Sequence, residues 1–182
     1  MEENKQRQGE SSGKAEIQEK KRLLDMAKQT TLVIGKNGTL GRALYERLGG
    51  DATGRHDFNL KDNPVFPPEK YDVVYIVAAK TKFRDCELDE DAYQTNVDGP
   101  IRLGAYFRKS FIVYISSEAA EWSRTSYGIQ KAHAELGLLA VVGYERLAIV
   151  RPTKITQDRL ISLVEFLVKI GEERLCGTHR YR

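Results

Sequence analysis

Tyr127 and Lys131, four residues apart in Ser126-Tyr127-Gly128-Ile129-Gln130-Lys131, are the residue types best suited to acid–base chemistry. On a helix, positions i and i+4 share one face. A cation beside a phenol favours tyrosinate and lowers a pKa that ordinarily stands near ~10. Such a phenol can exchange a proton with a substrate hydroxyl or carbonyl near neutral pH. With nine tyrosines and many lysines in the chain, one pair at this spacing also arises by chance about half the time. What sets this one apart is Ser116-Ser117, directly after the apolar run Phe111 to Ile115 (FIVYI). Hydroxyls at the carboxyl end of a parallel strand face the crevice in which ligands bind.

A second constellation is Gly35-Lys36-Asn37-Gly38-Thr39-Leu40-Gly41, directly after the β-rich run Thr31 to Ile34 and before a helical stretch, Arg42 to Leu48. Glycines allow a tight turn and let a pyrophosphate approach the backbone. The helix that follows aims free N–H groups and a positive dipole end at that phosphate. The spacing GxxGxxG differs from the best-known dinucleotide fingerprint, but strand, glycine turn and helix are the context the motif requires. The alternative is a tight strand-to-helix turn with no ligand. After the second strand, an acidic residue would suit the ribose of NAD and an arginine the 2′-phosphate of NADP. Arg55, with Lys36 in the turn, favours NADP over NAD. Arg55 as a solvated loop charge, or Asp57 as an acidic reader on a longer strand, are the competing readings.

These residues need a scaffold, and the apolar pattern supplies one. Strands are expected at Thr31 to Ile34, Asp51 to Arg55, Val73 to Ala79, Phe111 to Ile115 and Arg146 to Val150, the last ended by Arg151-Pro152. Helices are expected at Arg42 to Leu48, stopping at Gly49-Gly50, at Leu88 to Tyr93, Pro100 to Arg108, Ser126 to Leu139 and Leu160 to Ile170. The runs VVYIVAA and FIVYI are continuously apolar, as in strands covered on both faces of a parallel sheet. Alternating strands and helices make this an α/β chain with a Rossmann-type doubly wound parallel sheet, a single domain with a flexible N-terminal tail. Residues 1–29 are expected to be a disordered or helical leader, with Ala15 to Lys28 its helical part, and residues 30–182 the nucleotide-binding domain.

Composition narrows the function classes. The 182 residues carry 29 basic and 26 acidic side chains, interleaved, for a net charge of +3, which leaves no broad footprint for nucleic acid or membrane. No apolar run is long enough to span a bilayer, and the first residues lack a signal core. Cys86 and Cys176 form neither a CxxC pair nor a zinc-type spacing, so no metal site is expected and a reduced, cytoplasmic setting is.

Seven segments in order, LVIGKNGTLGRAL, RHDFNLKD, YDVVYIVAAKT, NVDGPIRL, FIVYISS, SYGIQKAHAE and LAIVRPT, resemble the extended branch of the short-chain dehydrogenase/reductase family, the NAD-dependent epimerase/dehydratases. The resemblance runs from Leu32 to Thr153. It is closest to the nucleotide-sugar members, such as the dTDP-4-dehydrorhamnose reductases and GDP-fucose synthases. It implies a pyrophosphate turn at Gly35, Gly38 and Gly41, with Lys36, Asn37 and Thr39 between them and Leu40 beside the cofactor. It implies Asn59 and Leu60 at the adenine, and Ala78, Ala79 and Lys80 beneath the cofactor. Asn96 would shape the site and relay protons. Ser117, or alternatively Ser116, would hold the substrate carbonyl, with Tyr127 as general acid/base. Lys131 would bind the nicotinamide ribose and lower the tyrosine's pKa, and Pro152, in Arg151-Pro152-Thr153, would lie beside the nicotinamide. A small-molecule substrate, a nucleotide sugar or similar carbonyl compound, and pairing of two copies through helices are implied in the same way.

Two departures stand out. Ten positions separate Ser117 from Tyr127, about half the usual number, and a shorter loop opens the pocket to water. The family also continues into a substrate-binding lobe, whereas this sequence stops at Arg182. Three functions fit: an NAD(P)-dependent oxidoreductase or epimerase, a module that binds the dinucleotide without chemistry, and a subunit of a larger complex tethered by its leader.

Overall fold

The computed structural model describes residues 30–62, 65–122 and 124–175. The expected leader and Cys176 lie outside the described residues. Five strands form one parallel sheet: β1 (Thr31–Ile34), β2 (Asp51–Thr53), β3 (Val73–Ile76), β4 (Phe111–Ile115) and β5 (Leu147–Val150), in the order β2-β1-β3-β4-β5. The chain winds outward one way from β1 to β2, then crosses back and winds the other way. The switch point lies between β1 and β3, where open α/β sheets place their ligands.

Strand parity explains the continuous apolar runs. Leu32, Ile34, Val74, Ile76, Ile112 and Tyr114 pack on one face, with Leu103, Ala134 and Leu138. Val33, Val73, Tyr75, Phe111, Val113 and Ile115 pack on the other, with Leu40, Leu44, Leu160, Val164 and Leu167. Both layers of each central strand are therefore apolar, because both are covered by helices. The first face is covered by α4 (Gly99–Tyr106) and α6 (Ser126–Val142), the second by α1 (Thr39–Leu48) and α7 (Gln157–Leu175). Arg47 of α1 chelates Glu165 of α7 through two hydrogen bonds of 2.8 and 3.2 Å.

Several boundaries differ from expectation for identifiable reasons. α1 begins at Thr39, three residues before Arg42, because Gly38 caps it and accepts from the Arg42 amide. It stops at Gly49, whose N–H still bonds the Tyr45 carbonyl and whose φ of +66° turns the following chain out of the helix. β2 ends at Thr53, so Arg55 and Asp57 lie beyond the strand and the longer-strand reading fails. The apolar run from Val73 leaves the sheet after Ile76: Val77 and Ala78 both donate to the Ile34 carbonyl, folding the chain across the end of β1. Helix extends further than expected in α6 and α7. A short helix α5 (Ala119–Trp122) occupies the Ser117–Tyr127 connection, where none was foreseen.

The largest departure lies between β3 and β4. Instead of two separate helices, α2 (Phe83–Leu88) breaks at the extended Asp89, and α3 (Asp91–Tyr93), a π turn (Gln94–Asp98) and α4 then run in unbroken succession. Pro100 sits in the first turn of α4 and does not start a new element, because helical φ and ψ run through Asp98 and Gly99.

Candidate functional site

The carboxyl ends of β1, β3 and β4 open into a cleft of about 530 Å³. Its first wall is the glycine turn. Gly35, at φ +111°, needs glycine twice over, since a Cβ there would stand 2.7 Å from the Ala78 nitrogen. A Cβ on Gly41 would come within 2.1 Å of the Gly35 carbonyl oxygen, so that glycine lets helix and turn close on each other. Gly38 is different. Its φ is an ordinary −78°, and a Cβ would meet nothing closer than 3.7 Å. The protein's own packing does not require a bare backbone there, whereas a ligand lying against the turn would.

Asn37, Thr39, Leu40, Arg55, Asn59, Leu60, Ala78, Ala79, Lys80 and Pro152 join these glycines along the cleft. Lys36 does not. Its ammonium pairs with Asp57 at 2.8 Å and approaches the Ala52 carbonyl at 3.4 Å. Asp57, which also accepts from the Gly54 amide at 3.0 Å, is held below the usual carboxylate range by Lys36 first and that amide second. The acid beyond β2 is thus engaged by protein, and Arg55 is the charged side chain of this loop that faces the cleft.

The far end of the cleft holds Ser116, Ser117, Tyr127 and Lys131. The short connection does bring Ser117 and Tyr127 to the same stretch of cleft wall, where the Ser117 hydroxyl accepts from the Ala119 amide at 3.2 Å. Ser116 Oγ, by contrast, is buried without a partner among the described residues. Burial pushes the Tyr127 pKa up, and the neighbouring Ser117 hydroxyl opposes that. Thr125 caps α6 by accepting from the Gly128 amide at 3.2 Å, which fixes the first turn carrying Tyr127. Phe83 of α2 lies edge-on to the Tyr127 ring, with centroids 5.7 Å apart.

Lys131 is almost fully enclosed. Its ammonium donates to the Ile115 carbonyl at 2.8 Å and to the Tyr114 hydroxyl at 3.1 Å. Burial drives its pKa down to about 7, with Glu135 one turn along opposing the shift. Glu135 is buried too and is clamped by Arg151 through bonds of 2.9 and 2.6 Å. Arg151 also reaches Glu121 of α5 at 3.3 Å, and so ties the short connection to α6 and to the end of β5.

Asn96 stands behind the wall. The π turn places it at full burial, where its amide accepts from Lys80 N at 2.8 Å and donates to Lys80 O at 2.9 Å and to Gln130 Oε1 at 2.8 Å. It pins the segment after β3 to α6. π turns recur at functional sites because the extra residue per turn re-aims a side chain. Lys80 itself spends its ammonium on Asp89. Thr81 and Thr95 also line the cleft and were not foreseen. Thr95 adjoins Asn96, but only the π turn brings it to the wall, and its sequence carries no signal for that turn. Among the described residues, no cluster of His, Cys, Asp or Glu could hold a metal ion, and no helix is long and apolar enough to cross a membrane.

No family model matches the chain, and no curated protein matches it either. Solved structures do share its fold. The dTDP-4-dehydrorhamnose reductase from Bacillus anthracis str. Ames, in complex with NADP, is 18% identical with a TM-score of 0.58, covering 76% of this chain and 60% of that one. The dTDP-4-dehydrorhamnose reductase from Yersinia enterocolitica is 19% identical with a TM-score of 0.60, covering 69% and 53%. A short-chain dehydrogenase/reductase superfamily protein from Agrobacterium tumefaciens, with bound NAD, is 19% identical with a TM-score of 0.51, covering 68% and 48%. This chain spans about half to three-fifths of their length, and over that span it has the Rossmann-type fold of these dehydrogenase/reductase structures.

Proposed function

We propose that the chain binds a nicotinamide dinucleotide and acts as an oxidoreductase or epimerase on a carbonyl or alcohol of a small molecule, a nucleotide sugar or similar compound. The observation that carries this reading is that one cleft joins the glycine turn at one end to Ser117, Tyr127 and Lys131 at the other. The bare Gly38 and the start of α1 suit a pyrophosphate. Leu40, Asn59 and Leu60 offer a slot for a flat base, and Ala78, Ala79 and Pro152 offer a surface for the remainder. The dinucleotide, when bound, supplies or accepts a hydride. The chain's own groups do the rest. Tyr127 gives a proton to the substrate oxygen or takes one from it, Ser117 donates to that same oxygen, and Lys131 binds a ribose hydroxyl. Arg55 favours a 2′-phosphate, hence NADP over NAD.

Nicotinamide fluorescence on titration with NADPH and NADH tests the cofactor. Saturation is expected with both, tighter for NADPH, and Arg55→Ala should remove the difference. Absence of binding by folded protein at millimolar dinucleotide refutes the reading. Turnover on a panel of nucleotide sugars and simple carbonyls should then fall by ~10²- to 10⁴-fold in Tyr127→Phe, with dinucleotide affinity unchanged.

One observation favours a second reading, a dinucleotide-binding module without chemistry. Lys131 is engaged by β4, and burial raises the Tyr127 pKa. NADPH binding with no turnover on the panel would select it. The proposal also includes a cytoplasmic setting and pairing of two copies through α6, whose Ile129 and Leu136 are exposed. The sedimentation velocity of the full chain checks the latter.

A further inference from the structure

We infer that Tyr114 is a positioning residue for Lys131: its hydroxyl and ring, from behind the cleft wall, hold the ε-amine at the carboxyl end of β4. Strand parity selects the pair. Tyr114 points to the face covered by α6, in a layer otherwise made of Ile112, Leu138 and similar apolar groups, and it is fully buried. A phenol hydroxyl in such a layer is costly unless bonded, and phenylalanine would fill the same space without that cost. The hydroxyl's partner is the Lys131 ammonium, at 3.1 Å. The same nitrogen stands 4.6 Å from the centroid of the Tyr114 ring, within cation–π range.

An ammonium has three hydrogens to donate. Tyr114 and the Ile115 carbonyl take two of them, while Lys131 still lines the cleft. β4 therefore fixes where the nitrogen sits and leaves the third hydrogen for the cleft side. The other polar groups that bear on this nitrogen are Glu135 on α6, itself clamped by Arg151, and Cys86 on α2. Tyr127, also on α6, bears on Tyr114. Glu135 favours the charged amine and burial opposes it, so the hydroxyl adds its weight to a nearly balanced equilibrium. The bearing of this contact on catalysis rests on the cofactor reading of Lys131; the contact itself does not.

The test is direct titration of Lys131 in the full chain, with ¹³C-labelled lysine and the ε-carbon shift followed against pH. Loss of one resonance in Lys131→Met identifies the signal. In the native chain the midpoint should lie near 7, and in Tyr114→Phe it should fall by ~0.5 unit or more, because the charged form loses an acceptor. Tyr114→Leu, which also removes the ring, should lower it further. A midpoint unchanged in a folded Tyr114→Phe chain overturns the proposal. Should that variant not fold, the native chain still decides: the ε-methylene protons of Lys131 should be displaced upfield by the ring current of Tyr114, and ordinary shifts there overturn it. NADPH affinity should weaken several-fold in Tyr114→Phe. A native chain that binds no dinucleotide refutes the cofactor reading alone, since the lysine titration needs none.

Discussion

The two ends of the cleft are built on opposite principles. At the turn after β1, what matters is the lack of side chains: Gly35 and Gly41 let backbone touch backbone, and Gly38 leaves a bare surface. At the ends of β4 and α6, what matters is side chains brought out of water: Lys131, Glu135, Asn96 and Gln130 are all buried and joined by hydrogen bonds across elements. The first kind of site is set by shape and is nearly independent of pH. The second is electrostatic, and its properties follow from how far each charge is desolvated.

Gly41→Ala should break the first end most severely. The new Cβ would overlap the Gly35 carbonyl, which is backbone and cannot rotate away, so a loss of ~3 kcal/mol or more in urea unfolding is expected. A change under ~0.5 kcal/mol, the size of an ordinary surface substitution, would mean that the turn is not rigid.

Lys131 sharpens the second end. Its amine titrates near 7 when folded and near 10.5 when unfolded, so between those values the unfolded chain holds a proton that the folded chain has released. Its contribution to stability therefore rises with pH across that window, by ~1.4 kcal/mol for each pH unit while the two states differ by a full proton. Denaturant unfolding of the native chain and Lys131→Met, compared from about pH 7 to 9.5, should show the native chain gaining on the variant. Parallel curves would show that the amine stays charged when folded.

Gly38→Ala separates packing from ligand binding and has the smallest expected effect. Stability should fall by no more than about 1 kcal/mol, the cost of alanine at a helix N-cap, since nothing lies closer than 3.7 Å, while dinucleotide affinity drops by ~10-fold. Equal affinities would remove the reason for calling that glycine a ligand surface.

The same contrast explains what could be read from the sequence. Thr31 to Ile34 followed by three glycines, and the uninterrupted runs at Val73 and Phe111, reveal the parallel sheet and the tight glycine turn, because backbone constraint and double-sided burial leave marks on residue type. Tyr127 and Ser117, expected in one site, both line the cleft. The setting of Lys131 was not legible. Its spacing from Tyr127 suggests a cation beside that phenol, whereas its bonds go to Tyr114 and Ile115 of the strand it packs on, contacts with no local signature. Lys36 lies in the turn expected to face the nucleotide, but the tight turn carries it onto Asp57. Thr95 and Asn96 depend on a π turn that no periodicity announces.

That turn has a consequence for the length of the chain between Glu90 and Gly99. One surplus residue is stored inside a continuous helix, so deleting a single position from Gln94–Asp98 would relax the stretch to ordinary α geometry without breaking it. The segments on either side would keep nearly their present phase, because one π turn winds the chain about as far as one α turn, but the side chains within the turn would be re-aimed. An insertion or deletion that a surface loop would absorb unnoticed would here withdraw the buried Asn96 amide from Lys80 and Gln130, leaving three polar groups, the Gln130 oxygen buried, to find new partners. The segment is thus far less tolerant of altered length than of altered sequence.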